Sequence, residues 1–223
     1  MIRLLIILLV SICTSNELEK LTYEVYFNNL KAGKASLKLS EDANKENYVL
    51  NFELRSHKYL DAIYKLRENT SMIIDRKDFF IYEINKYVRQ GRKKRNYQAI
   101  FNYDTKIAHI NNKITTFQKP IYDPINIIYY LRNNFQLLKN NMSFSIITKN
   151  TFKTIHMGII NEEEIILNDK IFPCVVVGPI NNNQKSDEIK IWFSQDSLAL
   201  PLKIESKAKL GIIKMELSFE NDE

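Results

Sequence analysis

Apolar and polar residues alternate along much of this 223-residue chain, most clearly near the C-terminus. From Leu202 to Leu210 the even-numbered positions are mostly apolar, whereas the odd-numbered positions are charged. A period of two predicts a β-strand with one face in a core and the other in water. Pro201 cannot donate a hydrogen bond to a neighbouring strand, so we place it at the first residue of this strand.

The same period predicts strands through most of the chain before this point. Leu21–Phe27 and Ala35–Leu39 flank a turn at Asn28-Asn29 and should pair as a hairpin. Residues 57–67 do not keep the period, which favours a helical turn or an irregular crossing there. Further strands are predicted at residues 48–54, 72–74, 80–88, 97–103, 107–110, 114–117, 142–148, 152–157, 164–167 and 171–177.

One segment has helical spacing instead. Asp123 and Pro124 are residue types typical of an N-cap and of the first helical position, where the missing N–H of proline costs nothing. Ile127, Ile128 and Leu131 then share one side of the helix. The sequence therefore predicts one principal helix that plugs or covers one end of the sheet.

Beyond Gly211 the apolar positions change phase. A hairpin with its turn at Leu210-Gly211 explains the change, and so does a β-bulge at Gly211 within one long strand. The hairpin would set like charges directly opposite one another, which is unfavourable. The opposed pairs would be Lys207 with Lys214 and Glu205 with Glu216. The sequence leaves both alternatives open.

Composition fits a single folded unit. The chain has twelve Tyr and twelve Phe but only five Gly and five Pro, so it is rich in aromatic residues and shows no low-complexity linker. We predict one β-rich domain over residues 16–223. Its fold class should be all-β and mainly antiparallel: a strongly curved sheet or open barrel of roughly a dozen strands with one principal α-helix.

The first fifteen residues have the order of a secretory signal peptide. Arg3 precedes the apolar run Leu4–Val10, which is too short to span a bilayer as a permanent helix, and short side chains follow. We predict cleavage after Ser15 and a mature protein in the periplasm or at the outer cell surface. A lipoprotein anchored through Cys13 is the alternative, although Ile12 is an unusual residue before such a cut.

Three segments together resemble a known family. They are Leu21–Leu37, Asp123–Arg132 and Trp192–Leu217, the last containing Trp192-Phe-Ser-Gln-Asp196 and Leu200-Pro-Leu-Lys-Ile-Glu205. Their order and spacing are similar to those of the bacterial domain-of-unknown-function family 3108. Phe193 departs from the smaller aliphatic residue that is more usual there. The resemblance implies an exported, antiparallel β-protein, and it implies no catalytic residue.

Residues that could carry chemistry are scattered. Cys174 is the only cysteine of the predicted mature chain, and within Ile171–Val177 we expect a small buried hydrophobic residue, not a nucleophile. His57, His109 and His156 form no zinc motif. No nucleophile elbow, phosphate loop or dinucleotide motif is present. We predict no catalytic residue, no metal, no cofactor and no enzymatic activity.

The most charged segment lies between two aromatic-rich strands, and Gln90-Gly91 is the predicted turn between them. Its basic residues are Arg89, Arg92, Lys93, Lys94 and Arg95. Basic residues beside aromatic ones can bind nucleic acid, but an exported protein rarely meets it. We favour a solvated turn. Contact of this segment with an anionic membrane surface is the alternative that we keep.

Three functions from different classes remain. We expect first a protein of the cell envelope that binds or carries a lipid or other apolar ligand in a curved β-sheet. The alternative is an envelope module that contacts other proteins or the membrane surface. A hydrolase assembled from distant residues ranks last. An empty or a filled interior of the curved sheet would separate the first function from the second.

Overall fold

The computed structural model describes residues 16–61, 65–138, 141–148, 151–180, 189–208 and 211–219. The predicted signal segment 1–15 with Cys13 lies outside the described residues. The described chain is built mainly from β-strands, which confirms the all-β fold class.

The N-terminal half forms eight consecutive strands and one helical turn. The strands are β1 (Glu17–Phe27), β2 (Leu30–Glu41), β3 (Tyr48–Ser56), β4 (Leu66–Ile74), β5 (Ile81–Gln90), β6 (Lys93–Asn102), β7 (Ile107–Ile110) and β8 (Lys113–Thr116). The helical turn is α1 (Lys58–Asp61), and it lies in the segment whose sequence does not keep a period of two.

The C-terminal half contains the principal helix and seven strands. These are β9 (Ile121–Tyr122), α2 (Pro124–Asn133), β10 (Met142–Thr148), β11 (Thr151–Leu167), β12 (Lys170–Pro179), β13 (Ile189–Ser194), β14 (Pro201–Ala208) and β15 (Gly211–Leu217). A short 3₁₀ turn at Phe135–Leu137 follows α2. The described residues thus give fifteen strands, more than the dozen expected.

All fifteen strands belong to one sheet. β1 to β8 form one meander and β9 to β15 form another, and the two are joined because β1 pairs with β15. Every pairing is antiparallel except that of β9 with β10. β8 and β9 lie at opposite ends of the strand order. Phe152 of β11 packs against Phe101 and Phe117, so the sheet curls until side chains near its two ends meet.

α2 begins as its sequence predicts. The Asp123 side chain accepts a hydrogen bond from Ile125 N at 3.0 Å, and Asn126 Oδ1 accepts one from Asp123 N at 2.7 Å, which forms a capping box. The predicted stripe is buried, since Ile127, Ile128 and Leu131 expose 2% or less of their surface. The helix therefore lies against the inside of the curved sheet.

One predicted detail of the strands is wrong, and one open alternative is decided. Residues 152–157 and 164–167 belong to the single strand β11, whose pairing with β12 is irregular between Ile159 and Asn161. Of the two alternatives at Gly211, the structure shows the hairpin of β14 with β15, in a register two residues away from the one that would oppose like charges. Ile204 faces Met215, so Glu205 meets Lys214 and Lys203 meets Glu216. Opposite charges thus replace the like charges that made a hairpin look unfavourable.

Candidate functional site

The outer face of strands β2 to β6 carries an open groove of about 640 Å³. Two neighbouring rows of polar side chains line it, each row taking one residue from each of the five strands in direct register. We call them the amide rows. The first consists of Lys38, Asn51, Ser71, Asn85 and Gln98, and the second of Ser36, Glu53, Asn69, Tyr87 and Asn96.

A third row on the same face, next to the second amide row, is entirely basic. We call it the basic row, and it consists of Lys34, Arg55, Arg67, Arg89 and Lys94. Each of these residues is the direct cross-strand partner of the next. A smaller depression of about 290 Å³ shares Ser36 and Glu53 with the groove and reaches Lys34 and Arg55. The groove and the basic row therefore form one continuous surface.

The basic row is only partly neutralised. Lys34 Nζ lies 3.7 Å from Glu24, Arg55 pairs with Glu53, and Arg67 pairs with Asp61. The hydrogen bond from Ser56 Oγ, supported by Arg67, lowers the pKa of the Asp61 carboxyl and keeps it ionised. Arg89 and Lys94 have no carboxylate partner in the part of the chain that the structure describes. Positive charge is therefore least compensated at the β5–β6 end.

The predicted basic segment is a hairpin tip, as expected, but its turn lies one residue later. Gln90 pairs with Lys93, so Gly91 and Arg92 form the turn, and the positive φ of 60° at Gly91 is the left-handed conformation that favours glycine. Strand alternation divides the basic side chains between two faces. Arg89 and Lys94 join the basic row, whereas Lys93 and Arg95 face the other side.

A partly buried charge cluster, in which Asp123 is the least exposed member, lies on the inner face of the same strands. Lys86 Nζ contacts Glu68 Oε1 at 2.9 Å and Asp123 Oδ2 at 3.2 Å. Burial alone would lower the pKa of Lys86, but the two carboxylates outweigh it and raise the pKa above its ordinary value. Asp123 is also the N-cap of α2, so this cluster fastens the helix to the sheet.

Side chains fill the centre of the curved sheet. Tyr23, Leu37, Leu50, Ile84 and Leu131 are 0% exposed, so no water-sized space adjoins them. The Tyr23 hydroxyl donates to Pro201 O at 3.0 Å, which satisfies its polar group. The centre thus forms a packed core in which α2 occupies the space that a ligand would need.

The sequence-predicted candidates for chemistry stay apart. Burial raises the pKa of the Cys174 thiol to about 11, so the reactive thiolate is scarce at neutral pH. Its Sγ donates to Phe172 O at 3.4 Å. Within the described ranges, no group of three or more His, Cys, Asp or Glu side chains is placed to hold a metal ion.

Comparison with known proteins establishes the family. The sequence model described as "Protein of unknown function (DUF3108)" matches residues 22–218. The chain belongs to the DUF3108 family. The resemblance found in its sequence is thereby confirmed. A comparison of this DUF3108 chain with curated proteins gives no match.

A solved structure shows a related fold. It is described as a β-barrel-like protein of the domain of unknown function DUF1849 from Brucella abortus. The superposition has a TM-score of 0.60 at 9% sequence identity, and it covers 89% of this chain and 94% of that chain. At this identity the likeness shows the fold alone. In the part of this DUF3108 chain that is described, no helix has the length and apolar character needed to cross a membrane.

The residues that sequence reasoning missed are Lys34, Arg55 and Arg67 and the two amide rows. Each lies at an outward-facing position of an alternating strand, so its exposure could be expected. The alignment of these side chains into rows could not be predicted from the sequence, because it depends on the register of four successive strand pairs. The surface becomes visible only when the strands are placed side by side.

Proposed function

We propose that this protein is an exported, non-enzymatic binding protein of the cell envelope that attaches to an anionic membrane surface through its basic row. The observation that carries the proposal is the row itself, with five cationic side chains directly adjacent across five strands. Like charges in direct opposition destabilise a sheet. An anionic surface would turn this repulsion into attraction, since each basic residue near such a membrane contributes about 1 kcal/mol.

The predicted signal peptide over residues 1–15 supports a place in the periplasm or at the outer cell surface. Cleavage after Ser15 would release the protein, so that the basic row would have to supply membrane attachment. Lipidation at Cys13 would anchor it, and the basic row would then orient it on the surface. Both routes bring the same face toward lipid headgroups.

Packing favours this function over the carriage of an apolar ligand. A carrier needs an accessible interior, but Leu37, Ile84 and Leu131 leave no water-sized space beside them. Carriage inside the sheet stays a prediction that would require α2 to move. Catalysis by the Cys174 thiol is disfavoured as well, because burial raises its pKa to about 11 and keeps it protonated.

The test is binding to vesicles with and without anionic lipid at low ionic strength. Replacing Arg89 and Lys94 with Ser should weaken binding to anionic vesicles by about 2 kcal/mol. The matched control replaces Lys93 and Arg95 with Ser, which removes the same charge from the same hairpin but from its other face. This control should lose little binding, because Lys93 and Arg95 do not belong to the basic row.

Salt provides an independent check, because exposed charges are screened beyond about 8 Å at physiological ionic strength. Binding should therefore decline as salt is raised, and more steeply for the native protein than for the Arg89 and Lys94 variant. Equal losses in the two double variants would show that hairpin charge alone matters and not the row. A native protein that ignores anionic vesicles at low salt would end the proposal.

A further inference from the structure

We infer that the groove lined by the amide rows is a binding site for a glycan, and that the basic row beside it receives acidic groups of the same ligand. The inference deepens the proposed function and rests on it only for the placement of the protein in the envelope. Its evidence is the groove itself and the chemistry of the side chains that line it.

The composition of the rows goes against strand preferences. Asparagine is depleted in β-strands, because its side chain competes for backbone hydrogen bonds and packs poorly on a pleated surface. Nevertheless four asparagines and one glutamine face the same groove from β3, β4, β5 and β6. They are Asn51, Asn69, Asn85, Asn96 and Gln98. The fold does not require these asparagines and this glutamine. Thr or Lys at the same positions would keep the outer face polar and is less unfavourable in a strand than asparagine.

Most of these carboxamides are available to a ligand. Asn85 donates to Glu83 at 2.8 Å, but the side chains of Asn51, Asn69, Asn96 and Gln98 make no hydrogen bond within the described residues. A carboxamide offers a donor and an acceptor on one flat group. A sugar hydroxyl is likewise both donor and acceptor, so a row of carboxamides matches a chain of hydroxyls without needing a charge.

The shape of the groove suits an extended chain of sugars. Five strands about 4.8 Å apart give each row a length of about 19 Å, and the two rows lie about 7 Å apart along the strands. Tyr87 stands between Asn69 and Asn96 in the second row. Its ring is the one aromatic side chain of the amide rows, and it offers an apolar face for the C–H side of a sugar ring.

Other polymers fit this surface less well. A peptide would add a strand at a sheet edge, but β3, β4 and β5 are paired on both sides. Single-stranded nucleic acid would need several aromatic platforms for successive bases, whereas the amide rows supply only Tyr87. A glycan needs neither a free edge nor repeated stacking, and its acidic groups would lie over the basic row.

Calorimetric titration of the purified protein tests the site, with chitohexaose as a neutral glycan, a heparin hexasaccharide as an acidic one and hexathymidylate as the nucleic acid. The test variant replaces Asn69 and Asn96 with Ala, and the matched control replaces Asn44, an exposed asparagine in the loop between β2 and β3. Melting temperatures should be unchanged in both. The test variant should lose about ten-fold or more in affinity for both glycans, because two hydrogen-bonding groups are removed.

The outcomes separate this inference from the proposed function. Loss of glycan binding with vesicle binding intact supports the glycan site, and affinity for the acidic glycan should also fall when Arg89 and Lys94 are replaced with Ser. Three outcomes overturn it: neither glycan binds, the acidic glycan binds equally well to the Asn69 and Asn96 variant, or hexathymidylate binds as tightly as the acidic glycan. Each is independent of whether vesicles bind.

Discussion

Lys86 connects the sheet to helix α2. It projects from β5 and contacts Glu68 on β4 and Asp123 at the start of α2. Asp123 exposes only 4% of its side chain, so its charge depends on near neighbours more than on water. The N-cap of the helix is thereby held by an ion pair as well as by its own backbone contacts.

Replacing Lys86 with Met should lower the free energy of unfolding by about 3 kcal/mol, because a buried carboxylate would lose its counterion. Urea denaturation measures the change. The control Lys113→Met alters an exposed lysine of β8 and should shift stability by less than about 0.5 kcal/mol. Equal effects from the two substitutions would show that the buried pair contributes nothing specific.

The same lysine predicts a dependence on pH. Its pKa is raised in the folded state, so its contribution is complete below its unfolded value of about 10.5 and is lost as pH rises through the higher folded value. Burial raises the pKa of the tyrosine hydroxyls of Tyr97, Tyr103, Tyr122 and Tyr129 in the same direction. Stability should therefore fall above about pH 10, and the fall should be shallower in Lys86→Met. Thermal melts between about pH 8 and pH 11, which bracket the ordinary pKa values of about 10 for tyrosine and about 10.5 for lysine, would show the onset of this fall.

Cys174 should prove inert. Replacing it with Ala should leave glycan and vesicle binding unchanged and cost about 1 kcal/mol of stability, since a small buried group is lost. The native thiol should also resist alkylation near neutral pH, because its pKa of about 11 leaves little thiolate. Binding lost in a variant that still melts cooperatively would assign the thiol a role.

At the scale of elements, local sequence predicted most of what formed. Asp123 and Pro124 predicted the start of α2, and Pro201 predicted the start of β14. The sequence was ambiguous where two physical causes give the same pattern. The phase change at Gly211 is consistent with both a hairpin and a bulge, and only the pairing of β14 with β15 decides between them. Two separate predicted strands, at 152–157 and 164–167, likewise proved to be one strand, β11.

The basic row predicts a conflict between stability and binding. Arg89→Thr should raise the free energy of unfolding by about 0.5 kcal/mol, because it removes a cation flanked by Arg67 and Lys94 and introduces a residue that favours strands. The same variant should bind anionic vesicles more weakly. Denaturation in low and high salt checks the cause, since screening should shrink the gain. A gain that does not depend on salt would attribute the effect to strand propensity instead of charge.

At the scale of the whole molecule, the sequence predicted a curved sheet around a helix but not the surface on its outside. The amide rows draw residues from Ser36 to Gln98, and no segment of five residues contains more than one residue of the same row. The alignment of these residues depends on the register of four strand pairs. A slip of one position in any pair would turn the side chains of that strand to the opposite face of the sheet. Alternation is a local property that sequence shows directly, whereas register is a property of strand pairs.

The pairing of β1 with β15 also constrains the order in which the chain can fold. Tyr23 bonds to Pro201, 178 positions away, and the N-terminal strand completes its ladder only when the last strand arrives. Such distant contacts make folding slow. A chain that emerges N-terminus first must therefore keep the edge of β1 open until synthesis or export is nearly finished. A protein that stops at residue 208 should therefore remain sensitive to protease. Chaperones that bind exposed strand edges should stay on this chain until β15 has been made.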